Sequence, residues 1–384
     1  METFLGYERA DGSIGTRNVV AIVSTMDNAN PVARAVAAAV SGTILIPGLY
    51  LRGQIGRDRE ITLDATVGLC LNPNIAGVVL TGLEPASTRE LLTRIAASGK
   101  PVEAVDIQPA GGTINAIAEA TRLAARMVRQ ASRVRPRAFP VSKLRIGVEC
   151  GGSDTTSGLS SNPAIGVVAD RVVAAGGQVI ISETAEFFGA EELFAQRATT
   201  ADVRQQFLER VAAHEKGIIA QGVDLRGNNP SQDNIRGGLT TIEEKALGSM
   251  AKSGSSSLVG VLSYAERPQL PGLHFMAAPA SAVENLSALA AAGCQMCVFS
   301  TGVCNPIGHP VSTIIKVTGN RHTAETFADN IDFDVTGILE RNERITDAGG
   351  RLFDYMLSVA SGELTSSEIL DVRETILSRF GTST

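Results

Sequence analysis

Short apolar runs alternate with helix-like stretches along nearly the whole of this chain, and that alternation most constrains what it can fold into. Val19-Val-Ala-Ile-Val23 has no polar face, so a strand formed over residues 18–24 is buried on both sides. Residues 43–46, 76–81 and 102–106 read as further strands, with helices over 29–40, 88–97 and 113–131. Buried strands separated by helices indicate a parallel sheet with helices on its faces. Residues 132–141 break the pattern with two prolines and three arginines, which marks them as the linker. Alternation then resumes. Strands are expected at 144–148, 178–182, 258–262, 295–299 and 311–317, and helices at 164–175, 190–197, 201–220, 242–252, 282–292 and 366–377. Polar residues 223–239 read as a long loop of the kind often used at a site. A chain of 384 residues suits two cores better than one. The prediction is an α/β protein of two Rossmann-like domains, residues 1–135 and 142–384, with mostly parallel sheets covered by helices.

Composition removes several classes of partner. Aromatic residues are 4% of the chain, Trp is absent and the net charge is −6, a poor match to nucleic acid. The first residues lack a basic stretch followed by an apolar one, and no apolar run is long enough to span a bilayer. Five cysteines, an odd number in a long chain, argue against a disulfide framework and for a reducing cytoplasm.

Chemistry concentrates in strand-to-helix loops, which open α/β sheets place at the ligand-binding edge. The first runs Glu149-Cys-Gly-Gly-Ser-Asp-Thr-Thr-Ser-Gly-Leu-Ser-Ser-Asn-Pro163. Asn162 reads as an N-cap with Pro163 in the first helical turn, leaving free N–H groups for an anion. Cys150 and Asp154 could bind a divalent metal or move protons. They could equally be a buried thiol closing a strand and a carboxylate satisfying a turn. Glu183 follows the next strand at the same edge, as a candidate base or metal ligand, with Glu186 three residues on. Glu191 and Glu192 read as first-turn helix acids.

In Gly237-Gly-Leu-Thr-Thr-Ile-Glu-Glu-Lys245, a capping box fits Thr240 with Glu243 or Thr241 with Glu244. Gly237 and Gly238 are expected to offer N–H groups to an anion. Lys245 falls one turn after Thr241 on the same face. Arg17 could clamp a carboxylate or simply be solvated. His309 sits in a polar loop after a strand. Cys294 and Cys297 bracket a strand and diverge, so zinc is not expected with Cys304. A dinucleotide site is disfavoured, because the first strand-to-helix turn reads Ser24-Thr-Met-Asp-Asn-Ala-Asn30 with no glycine fingerprint.

Together these segments resemble the altronate/galactarate dehydratase family over its large-subunit or C-terminal region. The resemblance is carried by Gly6-Tyr7, Gly15-Thr-Arg-Asn18, Asn72-Pro-Asn74, Cys150-Gly-Gly-Ser-Asp154, Asn162-Pro163, Ser182-Glu-Thr184, Gly189-Ala-Glu191 and the segment from Gly237 to Lys245. Four features look like a sulfo-lyase branch of that family: Ile46-Pro47 with Tyr50, Arg52, Gln54 and Gly56; Gly82-Leu-Glu-Pro85; Ser153-Asp-Thr-Thr-Ser-Gly158; and Ile307-Gly-His-Pro310. Sugar-acid members tend to carry Gly-Cys-Glu where Leu83-Glu84-Pro85 stands.

The resemblance implies a lyase that takes the C2 proton from a small 2-hydroxy carboxylate and expels a group from C3. (2R)-Sulfolactate going to pyruvate and sulfite is the expected reaction, with dehydration of a sugar acid as the alternative. A non-catalytic anion-binding scaffold subunit is the reading from another class. The resemblance also implies a divalent metal, Fe2+ or Mn2+, a separate small subunit and an oligomer. On it, Cys150, Asp154 and Glu183 form the metal shell, and Glu183, Glu243, Glu244 and Lys245 supply acid/base function. Arg17, Asn18, Ser153, Asp154, Thr155, Asn162, Thr240, Thr241 and His309 would bind substrate.

Overall fold

The computed structural model describes residues 2–48 and 51–377. Tyr50 lies outside the described residues, as does the side chain of Arg52. Strands β1 (Thr3–Glu8) and β2 (Ile14–Gly15) form an antiparallel pair. The chain then builds β3 (Val19–Ser24), β4 (Thr43–Ile46), β5 (Ile75–Gly82) and β6 (Val102–Asp106). These make a parallel sheet in the order β4-β3-β5-β6. Its helices include Asn30–Ala39, Gly56–Leu71, Pro85–Ala96 and Thr113–Ala131.

β7 (Arg137–Pro140) then pairs antiparallel with β1, setting Phe139 opposite Phe4. The segment expected to be a bare linker thus carries a strand. Its partner is at the far end of the first half, so no local pattern announces it.

The larger sheet follows, from β8 (Arg145–Cys150), β9 (Gln178–Ile181), β10 (Leu258–Leu262) and β11 (Gly272–Met276) to β12 (Met296–Ser300), β13 (Thr313–Thr318) and β14 (Phe333–Asp334). It is parallel throughout, in the order β10-β11-β9-β8-β12-β13-β14. The expected α/β class with parallel, helix-covered sheets is therefore what forms.

Three elements differ from expectation. Helix Gly56–Leu71 has no clear apolar stripe in sequence, because Thr62, Thr66 and Gly68 share its buried side with Leu63 and Leu69. The C-terminal helix stops at Ile369, and Asp371 turns the backbone left-handed at φ 56°. The long loop carries two short helices, Leu225–Asn228 and Gln232–Arg236. Among the described residues no helix is long and apolar enough to cross a membrane.

The two parallel sheets meet along a seam. Gly68 faces helix Ala282–Ala291, where an added Cβ would fall 2.5 Å from the Ala291 carbonyl oxygen. Asn72 donates to the carbonyls of Ala290 (2.8 Å) and Cys294 (2.9 Å). Asn74 donates to those of Gln295 (2.8 Å) and Val311 (2.9 Å), and its side-chain oxygen accepts from the backbone N–H groups of Thr16 (2.9 Å) and Arg17 (3.2 Å). All of these groups except Arg17 are buried. The Asn72-Pro73-Asn74 turn is thus a structural bridge between the halves.

Candidate active site

β8 and β9 are neighbours in the larger sheet, so Cys150 at the end of one and Glu183 just past the other meet at its carboxyl edge. Glu183 holds a left-handed backbone with φ 66°, a conformation costing about 1–3 kcal/mol in a non-glycine residue and concentrated at functional sites. Its carboxylate accepts the Cys150 N–H at 3.2 Å.

A third group completes the cluster. Lys252, just beyond helix Ile242–Met250, places its ammonium 2.7 Å from Glu183 Oε2, 2.6 Å from Ser249 Oγ and 3.1 Å from Cys150 Sγ. An ammonium has three protons, and three acceptors meet it. Both Lys252 and Glu183 are 0% exposed.

Burial and mutual charge set the protonation of this cluster. Burial pushes the Glu183 carboxyl up to about 7, with Lys252 opposing the rise. Burial alone would drive Lys252 down, but Cys150 and Glu183 more than offset it, and the lysine stays an ammonium. Burial and then Glu183 push the Cys150 thiol up. Burial and Glu183 also hold Glu149 well above the usual carboxylate range, while Asn285 donates to one of its oxygens. Both carboxyls are thus held above the usual carboxylate range by the same burial.

Above this floor opens a cavity of about 330 Å³, and Ser249 is in its lining. One wall is the start of helix Ile242–Met250. Thr241 caps it, accepting the Glu244 N–H at 3.1 Å, while the Thr240 N–H (2.8 Å) and hydroxyl (2.6 Å) donate to the Glu244 carboxylate. The cap therefore takes the later of the two expected registers and engages Glu244. Glu243 is exposed. Lys245 lines the cavity and pairs with Glu186 at 3.0 Å while donating to Asn229 at 2.9 Å.

The opposite wall corrects the expectation for the helix start. Helical backbone begins at residue 155 and passes through a π turn, Ser157–Ser161, so Asn162 lies inside it and donates to the Gly248 carbonyl at 2.8 Å. The π turn accommodates the missing donor of Pro163. Asp154 is the cap: one oxygen accepts from Ser157 N (3.0 Å) and the Thr156 hydroxyl (2.7 Å), the other from Asn320 (2.7 Å). The anion expected at this helix start is supplied by the chain itself.

The N–H groups of Gly237 and Gly238 likewise donate to Asp233 and Ile235 carbonyls, not toward a ligand. Their smallness is what matters, since a Cβ on Gly238 would fall 2.4 Å from Thr155 Oγ1. That approach lets Thr155 donate to the Gly237 carbonyl and Asn234 to that of Ser153.

Ser153, Asp154, Thr155, Asn162, Glu244 and Lys245 thus line one cavity, above Cys150 and Glu183. Arg17, Asn18 and His309 are not brought to it. Arg17 is spent on both Glu368 oxygens (2.7 and 2.8 Å) and on backbone carbonyls, and Asn18 bonds Arg9 and the Ala131 carbonyl. His309 accepts two backbone N–H groups at Nδ1, and burial lowers its pKa to about 3, so it is neutral. With Arg17 it lines a separate cavity of about 60 Å³. Lys252 and Ser249 escaped the sequence reading, although 245, 249 and 252 follow helical spacing on one face.

The same geometry bears on the divalent metal that the resemblance implies. Such an ion needs several anionic or imidazole donors converging on one point. Cys150 and Glu183 do converge, but the Lys252 ammonium holds that point, and Asp154 is committed to its helix. Among the described residues no three His, Cys, Asp or Glu side chains are grouped to hold a metal. The trio Cys150, Asp154 and Glu183 does not fit a metal shell.

A hydroxyl-lined cavity resting on a buried carboxylate, ammonium and thiol, at the carboxyl edge of a parallel sheet, is the outline of a proton-transfer enzyme. Sequence comparison places it more narrowly. Residues 141–383 match the family model for the D-galactarate/altronate dehydratase C-terminal region, and residues 6–132 match that for the D-galactarate dehydratase/altronate hydrolase second domain. The chain belongs to the D-galactarate/altronate dehydratase family. It is 40% identical, over 98% of its length and 97% of the relative's, to the (2R)-sulfolactate sulfo-lyase subunit beta of Chromohalobacter salexigens. It is 32% identical to the altronate dehydratase of Bacillus subtilis, over 99% of this chain and 78% of that one. It is also 32% identical to the galactarate dehydratase (L-threo-forming) of Escherichia coli, over 94% and 73%. The resemblance read from the motifs is therefore correct at the level of the family.

Proposed function

We propose that this chain is the catalytic large subunit of a lyase converting (2R)-sulfolactate to pyruvate and sulfite. The observation that carries the reading is Ser249, which lines the cavity and sits 2.6 Å from the buried Lys252 ammonium. Lys252 passes a proton to Glu183 and takes the Ser249 hydroxyl proton. Ser249 oxygen then removes the proton from C2 of the substrate. The net result moves one proton from C2 to Glu183, whose pKa of about 7 suits a base working near neutrality. The C3–S bond breaks with its electron pair on sulfur, sulfite leaves, and the enol ketonises to pyruvate. Lys245, the ammonium in the cavity wall, meets the substrate carboxylate and the charge that develops on it.

Identity of 40% to a protein named as a sulfo-lyase beta subunit supports the leaving group and a companion subunit. Identities of 32 to 33% to altronate and galactarate dehydratases support the second reading, loss of water from a sugar acid by the same proton abstraction.

The test is a substrate screen of the chain with a companion subunit, under anaerobic conditions with ferrous or manganous ion. Sulfite and pyruvate should appear together from (2R)-sulfolactate. A 2-oxo acid formed from altronate or galactarate, with none from sulfolactate, would replace the first reading by the second. No product from any of them would leave a binding scaffold.

A further inference from the structure

We infer that the mouth of the Ser249 cavity is the docking face for a companion subunit of small-domain size, which covers the substrate and brings cationic groups to it. This rests on the cavity being the lyase site.

Charge is the first argument. Among the described residues lining the cavity, two carboxylates, Asp154 and Glu244, face one ammonium, Lys245, which is already paired with Glu186 at 3.0 Å. Sulfolactate carries a carboxylate and a sulfonate. Lys252 lies below the floor with no exposed surface and is committed to Glu183, Ser249 and Cys150. The substrate's two negative charges therefore exceed what this wall offers, and a group arriving from the open side must meet at least one of them.

The rim is the second argument. Leu159 and Leu247 line the cavity and yet are 57% and 49% exposed. Ile235, 47% exposed, lies beside Asn234, which is tied to the Ser153 carbonyl, and Val303, 42% exposed, donates its N–H to the Gly152 carbonyl. Exposed apolar side chains around a polar cavity mark a surface that another protein covers.

The occupant follows from charge and from the relatives. A second copy of this chain, at net charge −6, would bring more negative charge to a wall already short of cations. The relative aligned over 97% of its own length is named a beta subunit, which implies a companion.

The probe is the companion subunit of the Chromohalobacter salexigens sulfo-lyase, titrated calorimetrically into the full chain. Wild type should bind, and Leu159→Glu and Leu247→Glu should each weaken binding by roughly tenfold or more. Ile114→Glu, at a still more exposed apolar position (83%) on the helix Thr113–Ala131, should bind as wild type. Circular dichroism and thermal midpoints should match among all four proteins. Unchanged affinity in both rim variants would overturn the proposal, as would equal loss in the Ile114 variant or no wild-type complex. A self-dimer of the chain alone that dissolves in the rim variants would assign the face to a second copy and overturn it too. A complex formed through this face that yields no sulfite would leave the docking in place and sink the substrate reading instead.

Discussion

Arg17–Glu368 is a half-buried ion pair and Lys252–Glu183 a fully buried one, at opposite edges of the sheets. Arg17 precedes β3 at the amino edge, and its guanidinium is closed off by Glu368 and by the carbonyls of Thr16, Val359 and Glu363. Lys252 sits at the carboxyl edge and shares its charge among a carboxylate, a thiol and a hydroxyl, the last of which borders a cavity. The two pairs also bend proton affinity in opposite directions. Burial would raise Glu368, but Arg17 holds it below the usual carboxylate range. Burial carries Glu183 up to about 7 even beside Lys252. A pair saturated by main-chain carbonyls holds structure, whereas one that shares its charge with groups able to titrate can do chemistry.

The sharpest way to break this contrast is Lys252→Met. It strands a buried carboxylate without its cation, which costs about 3–5 kcal/mol by denaturant titration, and turnover should vanish. Turnover near that of wild type would remove Lys252 from the site. Glu183→Gln comes next. It should lower kcat/KM by about a hundredfold or more. The wild-type profile should rise with pH through about 7, because the carboxyl must be ionised to accept a proton, and the variant should lose that limb.

Stability should move the other way. A carboxyl with a raised folded pKa contributes stability below its ordinary value of 4.5, and that contribution is lost as pH rises through about 7. The Glu368 contribution has the reverse sign, present above 4.5 and lost on acidification. Urea midpoints measured across pH for wild type, Glu183→Gln and Glu368→Gln check both slopes. Arg17→Met should cost about 3 kcal/mol while the folded enzyme keeps its KM, and a raised KM would restore Arg17 to substrate binding. Smallest of all, Thr241→Ala should cost about 1 kcal/mol through loss of the helix cap, read as a modest fall in thermal midpoint.

The layered α/β plan was legible because buried parallel strands leave an unmistakable apolar run, as at Val19 to Val23. The carboxyl-edge loops holding Cys150 and Glu183 were legible for the same reason. Lys252 was not, since its meaning depends on β8 and β9 lying beside the end of a helix far along the chain. Asp154 took the cap expected of Asn162 because both are good caps, and only packing against Asn320 and the glycine loop decides which one starts the helix. Arg17 misled because a guanidinium ready for a substrate carboxylate and one filled by Glu368 look identical in one dimension.

The Asn72-Pro73-Asn74 turn has a further consequence. Its amides donate to main-chain carbonyls of the other half, and the Asn74 oxygen receives backbone N–H groups. Across the seam this joint grips only the polypeptide track of the other half, and so is blind to the side chains carried there. The second half can then change the side chains it carries at these carbonyls without loosening this grip, while the first half must keep Gly68 small against the Ala291 backbone. The register between the sheets survives such drift, leaving loops free to acquire new substrates on a frame that does not shift beneath them.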